Sequence, residues 1–156
     1  MRVREAVLEL IARRCDRDKN RAGTAAVEFA LVAPMLLLLV LGMCQFGITL
    51  NQYLTLTNAV RSGARQLSMS RGDATPHTDT INQIYGSAPN LTQASLTISL
   101  LVNGTPCTTD ATCKTALVAA GPPATVTASY PCSLAFFGDN FAPICTLSSQ
   151  TTERVE

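Results

Sequence analysis

Tryptophan is absent from the chain, and histidine occurs once, as His77. Charged residues make up only 15 % of the sequence, whereas an ordinary soluble domain carries about 25 %. The net charge of +1 argues against a nucleic-acid-binding protein, which would present a strongly basic surface. With one histidine, no phosphate-binding loop and no nucleophile elbow, the sequence predicts no enzyme, no metal site and no cofactor.

The charges that are present are unevenly distributed. Residues 1–23 hold seven basic and four acidic residues, a net charge of +3, whereas residues 24–156 hold five basic and seven acidic residues, a net charge of −2. The basic segment directly precedes a long apolar run. By the positive-inside rule, this order predicts a cytoplasmic N-terminus and a translocated C-terminal part.

The apolar run covers residues 25–50, AAVEFALVAPMLLLLVLGMCQFGITL, and its single charged residue is Glu28. A bilayer core of about 30 Å requires about 20 apolar residues in a helix, so the run predicts a transmembrane helix. Pro34 lies inside it, and membrane helices tolerate proline, usually with a kink.

The helical pattern continues beyond the apolar run. Apolar or small side chains recur at steps of three and four residues: Leu50, Tyr53, Thr57, Val60, Ala64 and Leu67. We therefore predict one helix over residues 24–71, with about residues 25–50 in the membrane. At about 1.5 Å per residue this helix is about 70 Å long, so its second half must project from the bilayer. The leader, residues 1–23, is expected to be a solvated tail, with a short amphipathic helix as the alternative.

Residues 72–156 are rich in Thr, Ser, Pro and Gly and predict a small head. Alternating apolar residues predict strands in SLTISLLVN and ATVTASYPC, a weaker strand is predicted in TLSSQTTERV, and Asn103-Gly104 predicts a turn. TDTINQIYG predicts a helix that ends at Gly86, and TTDATCKTALVAAG predicts one that is capped by Thr109 or Asp110 and stopped by Gly121. Phe136 and Phe137 are expected to pack in the core, with an exposed adhesive tip as the alternative. The predicted fold class is α+β: a long N-terminal transmembrane helix followed by a small antiparallel-sheet head.

Four of the six cysteines lie in the head: Cys107, Cys113, Cys132 and Cys145. In an exported domain of this size they predict two disulfides. Zinc is the alternative, but the spacings C-x5-C and C-x12-C do not match paired C-x2-4-C knuckles. Three pairings are possible, of which pairing between near neighbours, Cys107–Cys113 and Cys132–Cys145, is the simplest.

Three common kinds of N-terminal segment do not account for this sequence: a cleaved secretory signal, a lipoprotein signal and a plain membrane anchor. A cleaved secretory signal needs a small-x-small site after the apolar run, and no convincing one follows Leu41. A lipoprotein signal needs a small residue before its cysteine, and Met43 precedes Cys44. A plain membrane anchor accounts for the hydrophobicity but not for Glu28, because a carboxylate costs about 2.5–3.5 kcal/mol at mid-membrane and less near the interface.

The stretch RAGTAAVEFA, residues 21–30, resembles a type IV prepilin signal: a basic leader, Gly23, Thr24, Glu28 and Phe29 at the start of an apolar helix. The resemblance implies that a prepilin peptidase cleaves after Gly23 on the cytoplasmic side and that the helix is retained. Thr24 then becomes the first residue and Glu28 the fifth, where pilins carry glutamate. The freed α-amine is mostly cationic at neutral pH, so it can pair with Glu28 of a neighbouring subunit and set the axial register.

A second element, NAVRSGAR at residues 58–65, narrows the resemblance. Together with GTAAVEFALVAPMLLLL it is similar to the TadE-like family of minor pseudopilins, which belong to the Tad (tight adherence, Flp-type) pilus. The similarity covers about residues 20–71, and the head carries no recognisable motif. The positions that carry the family pattern are Phe29, Pro34, Arg61, Gly63, Ala64 and Arg65. From the residues alone, Arg61 and Arg65 are expected to be solvated, with phospholipid headgroups or acidic groups of another subunit as alternatives.

The resemblance implies a structural subunit in the bacterial inner membrane with a periplasmic head. Its expected partners are the prepilin peptidase, other pilins or pseudopilins, the pilus assembly platform and membrane lipid, and it leaves open whether the subunit enters the filament. The alternative is a membrane-anchored periplasmic receptor or adhesin whose N-terminus is not cleaved.

Overall fold

The computed structural model describes the backbone of residues 2–132, 135–136, 139–140 and 144–156, and the side chains of residues 23–132 and 144–156. It contains two compact units, Met1–Cys44 and Gln45–Glu156. The helices are α1 (Arg2–Met69), α2 (Pro76–Ser87) and α3 (Asp110–Ala116), with a 3-10 turn at Gln93–Ser95. The strands are β1 (Thr97–Val102), β2 (Thr105–Pro106), β3 (Pro123–Pro131), β4 (Ala135–Phe136), β5 (Asp139–Asn140) and β6 (Thr146–Arg154). The side chains of Phe136 and Phe137 lie outside the described residues.

The predicted long helix is present, but α1 begins at Arg2 rather than near residue 24. The backbone of the leader is therefore part of α1. Residues 1–23 contain many helix-favouring residues and no proline, and one interior glycine costs only about 1 kcal/mol relative to alanine. Gly23 is too weak a breaker to stop the helix. At the other end the chain leaves α1 through a turn in which Gly72 has φ +86°, close to the predicted end.

The head contains a four-stranded antiparallel sheet in the order β2-β1-β3-β6. Both predicted strands are confirmed, and the weaker third prediction corresponds to β6, which pairs with β3 along all nine of its residues. Asn103 and Gly104 have φ values of 52° and 77° and connect β1 to β2. Positive φ at both central residues is the requirement of the tight hairpin turn that an Asn-Gly pair favours. A second, two-stranded pairing joins β4 to β5.

The two short helices of the head differ slightly from their predicted limits. α2 begins at Pro76, where a proline suits the first helical turn, and it ends one residue past Gly86. α3 is capped by Thr109, as expected, through a reciprocal capping box with Thr112. It ends at Ala116 and not at Gly121, because the chain must turn before it enters β3; Gly121 instead lies in that turn with φ +94°.

The core of the head is formed where the apolar side chains of β1 and β3 meet α1 and α2. Leu100 lies opposite Val126 in the sheet, and both are buried. The face of α1 that enters this core is rotated from the predicted stripe. Val60, Ala64 and Leu67 of that stripe are fully buried, but the buried face continues through Leu56 and Ala59, whereas Leu50 and Tyr53 are 59 % and 41 % exposed.

Gly63 has a packing role that its helix propensity does not reveal. A Cβ atom at this position would lie 2.7 Å from Cδ1 of Ile84 on α2 and still closer to its Cγ1. Ile84 is itself fully buried, so it has little room to move. The absence of a side chain at Gly63 therefore lets α2 approach α1 closely.

We expect Gly63→Ala to destabilise the head. Overpacking costs about 1–3 kcal/mol, which exceeds the gain of up to about 1 kcal/mol from helix propensity. Gly86→Ala is the matched control, since a Cβ there meets nothing within 4 Å, and it should be neutral or stabilising. Urea unfolding of the detergent-solubilised chain measures both. Ile84→Val should reduce the effect of Gly63→Ala in a double-mutant cycle; equal stability of the two glycine variants would contradict the packing role.

The two disulfides pair near neighbours, Cys107–Cys113 and Cys132–Cys145. This confirms the simplest of the three pairings, and the zinc alternative is wrong because all four thiols are consumed. The first bridge joins the end of β2 to α3, and the second closes the segment between β3 and β6. Each bridge thus ties an irregular connection to the sheet.

Removal of the second bridge should weaken the head more than removal of the first. A loop of 13 residues gives about 3 kcal/mol of loop-closure stabilisation and one of 6 residues about 2 kcal/mol. The measurement is urea unfolding of the double variants Cys132→Ser/Cys145→Ser and Cys107→Ser/Cys113→Ser. Cys44→Ser, which changes the exposed free cysteine among the described residues, is the control and should leave the midpoint unchanged. A variant without one disulfide whose urea midpoint equals that of Cys44→Ser would contradict the expectation.

Candidate functional site

The first part of the candidate site is the apolar surface of α1. Large apolar side chains are exposed along it, with Phe29, Leu31 and Met35 73–76 % exposed. The candidate membrane span is Gly23–Met69; its most apolar 18-residue window has a mean hydropathy of 2.4 and is not buried at all. Such a surface must be covered by lipid or by other apolar helices. The length and hydropathy of this helix indicate a membrane anchor.

The residues singled out at the predicted processing site all lie on this exposed part of α1. Gly23, Thr24, Glu28 and Phe29 are exposed, and a Cβ atom at Gly23 would meet nothing within 4 Å. Among the residues that the structure describes, none forms an ion pair with Glu28. Packing within the described part of the chain therefore explains neither Gly23 nor Glu28. Pro34 is also exposed, and α1 continues through it.

The NAVRSGAR element has two sides. Gly63 and Ala64 are buried against the head, and Gly63 faces Ile84 of α2. Arg61 and Arg65 are exposed and lie one helical turn apart. The motif thus combines an internal packing position with two outward-facing cations.

An open groove of about 400 Å³ runs beside these arginines, between α1 and α2. Its lining comes mainly from α1: Asn58, Arg61, Ser62, Arg65, Gln66 and Met69, with Gln83 from α2. The Nε2 atom of Gln83 donates a hydrogen bond to Oγ of Ser62 at 2.8 Å. This bond connects the two helices at the groove, and sequence spacing gave no signal for it because the residues are 21 positions apart.

Asp110 holds the N-terminus of α2 in place. Its Oδ1 accepts hydrogen bonds from the N–H groups of His77 and Thr78 at 2.8 and 3.0 Å, and its Oδ2 accepts one from Oγ1 of Thr78 at 2.8 Å. A carboxylate at a helix N-terminus satisfies unpaired N–H groups and complements the helix dipole. From the sequence, Asp110 is expected only as a possible cap of α3; local spacing gives no signal for its contact with Thr78 of α2, 32 positions away.

These contacts predict a pH-dependent contribution to stability. The N–H and hydroxyl of Thr78, then the N–H and charge of His77, hold the pKa of the Asp110 carboxyl below its ordinary value, although partial burial opposes this. Because the folded pKa is lowered, the stabilisation is present above the unfolded pKa of about 3.9 and is lost as pH falls through the folded value. Asp110→Asn should therefore lower the urea midpoint at pH 7. It should have little effect at low pH, where the Asp110 carboxyl is protonated in the folded protein as well. Asp73→Asn, an exposed position after α1, is the control; an equal effect of both variants at pH 7 would contradict this role.

Among the described residues there is no group of three or more His, Cys, Asp or Glu side chains that could hold a metal ion. The cysteines that had suggested zinc are disulfide-bonded. The candidate features of the described residues are therefore the exposed apolar surface of α1, the exposed carboxylate of Glu28 and, in the second compact unit, the groove that Arg61 and Arg65 line.

A comparison with models of protein families gives a match to part of the chain. Residues 23–65, which are 43 of the 156 residues, match the family model described as TadE-like protein. The chain matches no curated protein and no solved structure. The matched segment includes Glu28, the apolar run and the NAVRSGAR element, and it ends at Arg65. The match confirms the resemblance found in the sequence and relates this chain, through its TadE-like segment, to the Tad pilus.

Proposed function

We propose that the chain is a minor pseudopilin, a structural and assembly subunit of a Tad-type pilus. The observation that carries this proposal is the unburied apolar helix with Glu28 at its start, inside the segment matched by the TadE-like model. An apolar helix with one carboxylate suits lateral packing against similar helices, because a cationic group on a neighbouring helix offsets the cost of placing the carboxylate below the headgroups.

In this proposal a prepilin peptidase cleaves after Gly23, so that Thr24 becomes the first residue. The mature helix lies in the inner membrane over about residues 25–50, and the head lies in the periplasm, an oxidising compartment that suits its two disulfides. The other proposed partners are pilins or pseudopilins, the assembly platform and membrane lipid. The TadE-like family is a structural family of the pilus, which supports a role in assembly.

Deletion of the gene in a pilus-producing host tests this function. Most of the pilus protein released by shearing should be lost, and expression of the full chain from a plasmid should restore it. Immunoblots of the membrane fraction control for expression. Normal piliation without this chain would contradict the assembly role and would favour the alternative of an anchored receptor or adhesin.

A further inference from the structure

The NAVRSGAR element is only half explained by packing inside the chain. Gly63 lets α2 approach α1 closely and Ala64 is buried in the core, whereas Arg61 and Arg65 are exposed. They lie on the exposed side of the same helical turn. Packing among the described residues therefore does not account for these two cations.

The residues that line the groove beside these arginines have the composition of an anion-binding site. It is lined by two guanidinium groups, by amide and hydroxyl side chains and by one methionine, and none of its lining residues is acidic. The bond from Gln83 to Ser62 leaves the Ser62 hydroxyl hydrogen available to another acceptor. Among the described residues, no carboxylate forms an ion pair with either arginine. The positive charge of the groove is therefore not neutralised within the described part of the chain.

The distance of the groove from the membrane favours a protein partner over lipid headgroups. If the span ends near Leu50, as proposed, Arg61 lies 11 residues and about 16 Å farther along the helix, and Arg65 about 22 Å farther. The headgroup layer on each side of a bilayer is only about 5–8 Å thick. An arginine side chain on an upright helix would have to cross the remaining gap to reach a lipid phosphate.

We propose that the groove around Arg61 and Arg65 binds acidic side chains of a neighbouring pilus subunit. Guanidinium groups pair with carboxylates through two parallel hydrogen bonds, which fixes orientation as well as adding attraction. The groove then provides a contact with neighbouring subunits in addition to the one proposed at Glu28. This proposal rests on the proposed function in pilus assembly.

Charge reversal in the full chain tests the groove. Arg61→Glu/Arg65→Glu should lower the yield of sheared pili by about tenfold or more, because like charges then face each other in the contact. The charge-conserving Arg61→Lys/Arg65→Lys should retain most of the yield, and Arg71→Glu, at an exposed arginine outside this groove, should retain all of it. Equal processing, membrane content and urea stability of the variants exclude a folding defect. Normal piliation by the doubly reversed chain overturns the groove proposal but leaves the assembly role intact, whereas normal piliation after gene deletion overturns both.

Modification of arginine by phenylglyoxal distinguishes a groove covered by a protein partner from one covered by lipid headgroups. The rates at Arg61, Arg65 and Arg71 are compared by mass spectrometry in pilus-producing cells and for the full chain in phosphatidylglycerol and phosphatidylcholine vesicles. Protection of Arg61 and Arg65, but not Arg71, in the cells and in neither kind of vesicle supports the proposal. Protection in phosphatidylglycerol vesicles assigns the groove to lipid headgroups and overturns it. The absence of protection in every sample also overturns it.

Discussion

The variant Gly23→Leu should accumulate with residues 1–23 still attached. A peptidase that cleaves after this glycine must take the local chain out of α1 and extend it in its cleft. Glycine makes both steps easier, because it lowers helix stability by about 1 kcal/mol relative to alanine and has no side chain to obstruct the cleft. Leucine opposes both. A displacement of only about 1 Å at a reacting centre can lower a rate about 100-fold, so we expect almost complete loss of processing.

The structure provides a sharp control for this experiment. A Cβ atom at Gly23 meets nothing within 4 Å, and the same holds for Gly42 and Gly47 farther along α1. Gly42→Leu and Gly47→Leu therefore make the same chemical change in the same helix without touching the cleavage site, and both should be processed normally. Gly23→Ala should be cleaved slowly. The measurement is the intact mass of the membrane protein from a host with the matching peptidase. A Gly23→Leu chain that begins at Thr24 would contradict the expected dependence of cleavage on the glycine.

The variant Glu28→Val should be processed and inserted normally but should fail to support pili. Glu28 lies four residues beyond Thr24, about 6 Å deeper along the helix, so in the membrane it lies just under the headgroups. A lone carboxylate there is tolerated but unfavourable. The amine freed at Thr24 of a neighbouring subunit can approach it, and their attraction grows as the local dielectric falls. Since the two groups meet at only one axial offset, the pair selects the register of the helices.

Removal of the carboxylate leaves the neighbour's amine buried without a counter-charge. Breaking a buried pair in this way costs about 3–5 kcal/mol, and about 1.4 kcal/mol is already a tenfold change in an association constant. Assembly should therefore suffer strongly, while cleavage and insertion are spared because Gly23 and the apolar run are unchanged. Glu28→Asp should retain partial activity, because its carboxylate is one methylene shorter.

The measurement is pilus yield by shearing, with the processed protein quantified in parallel. Glu28→Gln is the matched control for shape, since it keeps the size of the side chain and removes its charge, and it should behave like Glu28→Val. Normal piliation by Glu28→Val would show that the carboxylate is incidental, and the membrane-anchor alternative would then regain support. Piliation by Glu28→Gln alone would assign the role to hydrogen bonding rather than to charge.

Local patterns predicted the long helix and the longer elements of the head, but not the short strands β2, β4 and β5 or the start of α1 at Arg2. An uninterrupted apolar run specifies a helix of membrane length, because hydropathy and the absence of helix breakers act within a few turns. The alternation of Leu100 with Val102, and of Val126 with Ala128, specifies strands for the same reason. For the disulfides the sequence left three pairings open, and the structure has the one that closes the shortest loops.

Tertiary structure decided which faces of those elements are used. The buried stripe of α1 passes through Leu56 and not through Tyr53, because the position of α2 and the sheet, and not the helix period, determines where the core lies. Gly63 packs against Ile84, which is 21 positions away in the sequence. Asp110 caps α2 through Thr78, which is 32 positions away.

No periodicity within α1 or α2 encodes such pairs. The sequence by itself therefore determined that this chain has an apolar helix with a pilin-like start, a TadE-like motif and a disulfide-bonded α+β head. Which residues of the NAVRSGAR motif are buried was decided by the tertiary structure: Gly63 is buried, and Arg61 and Arg65 are exposed. The physical reason is that burial depends on the neighbours that each residue meets in space.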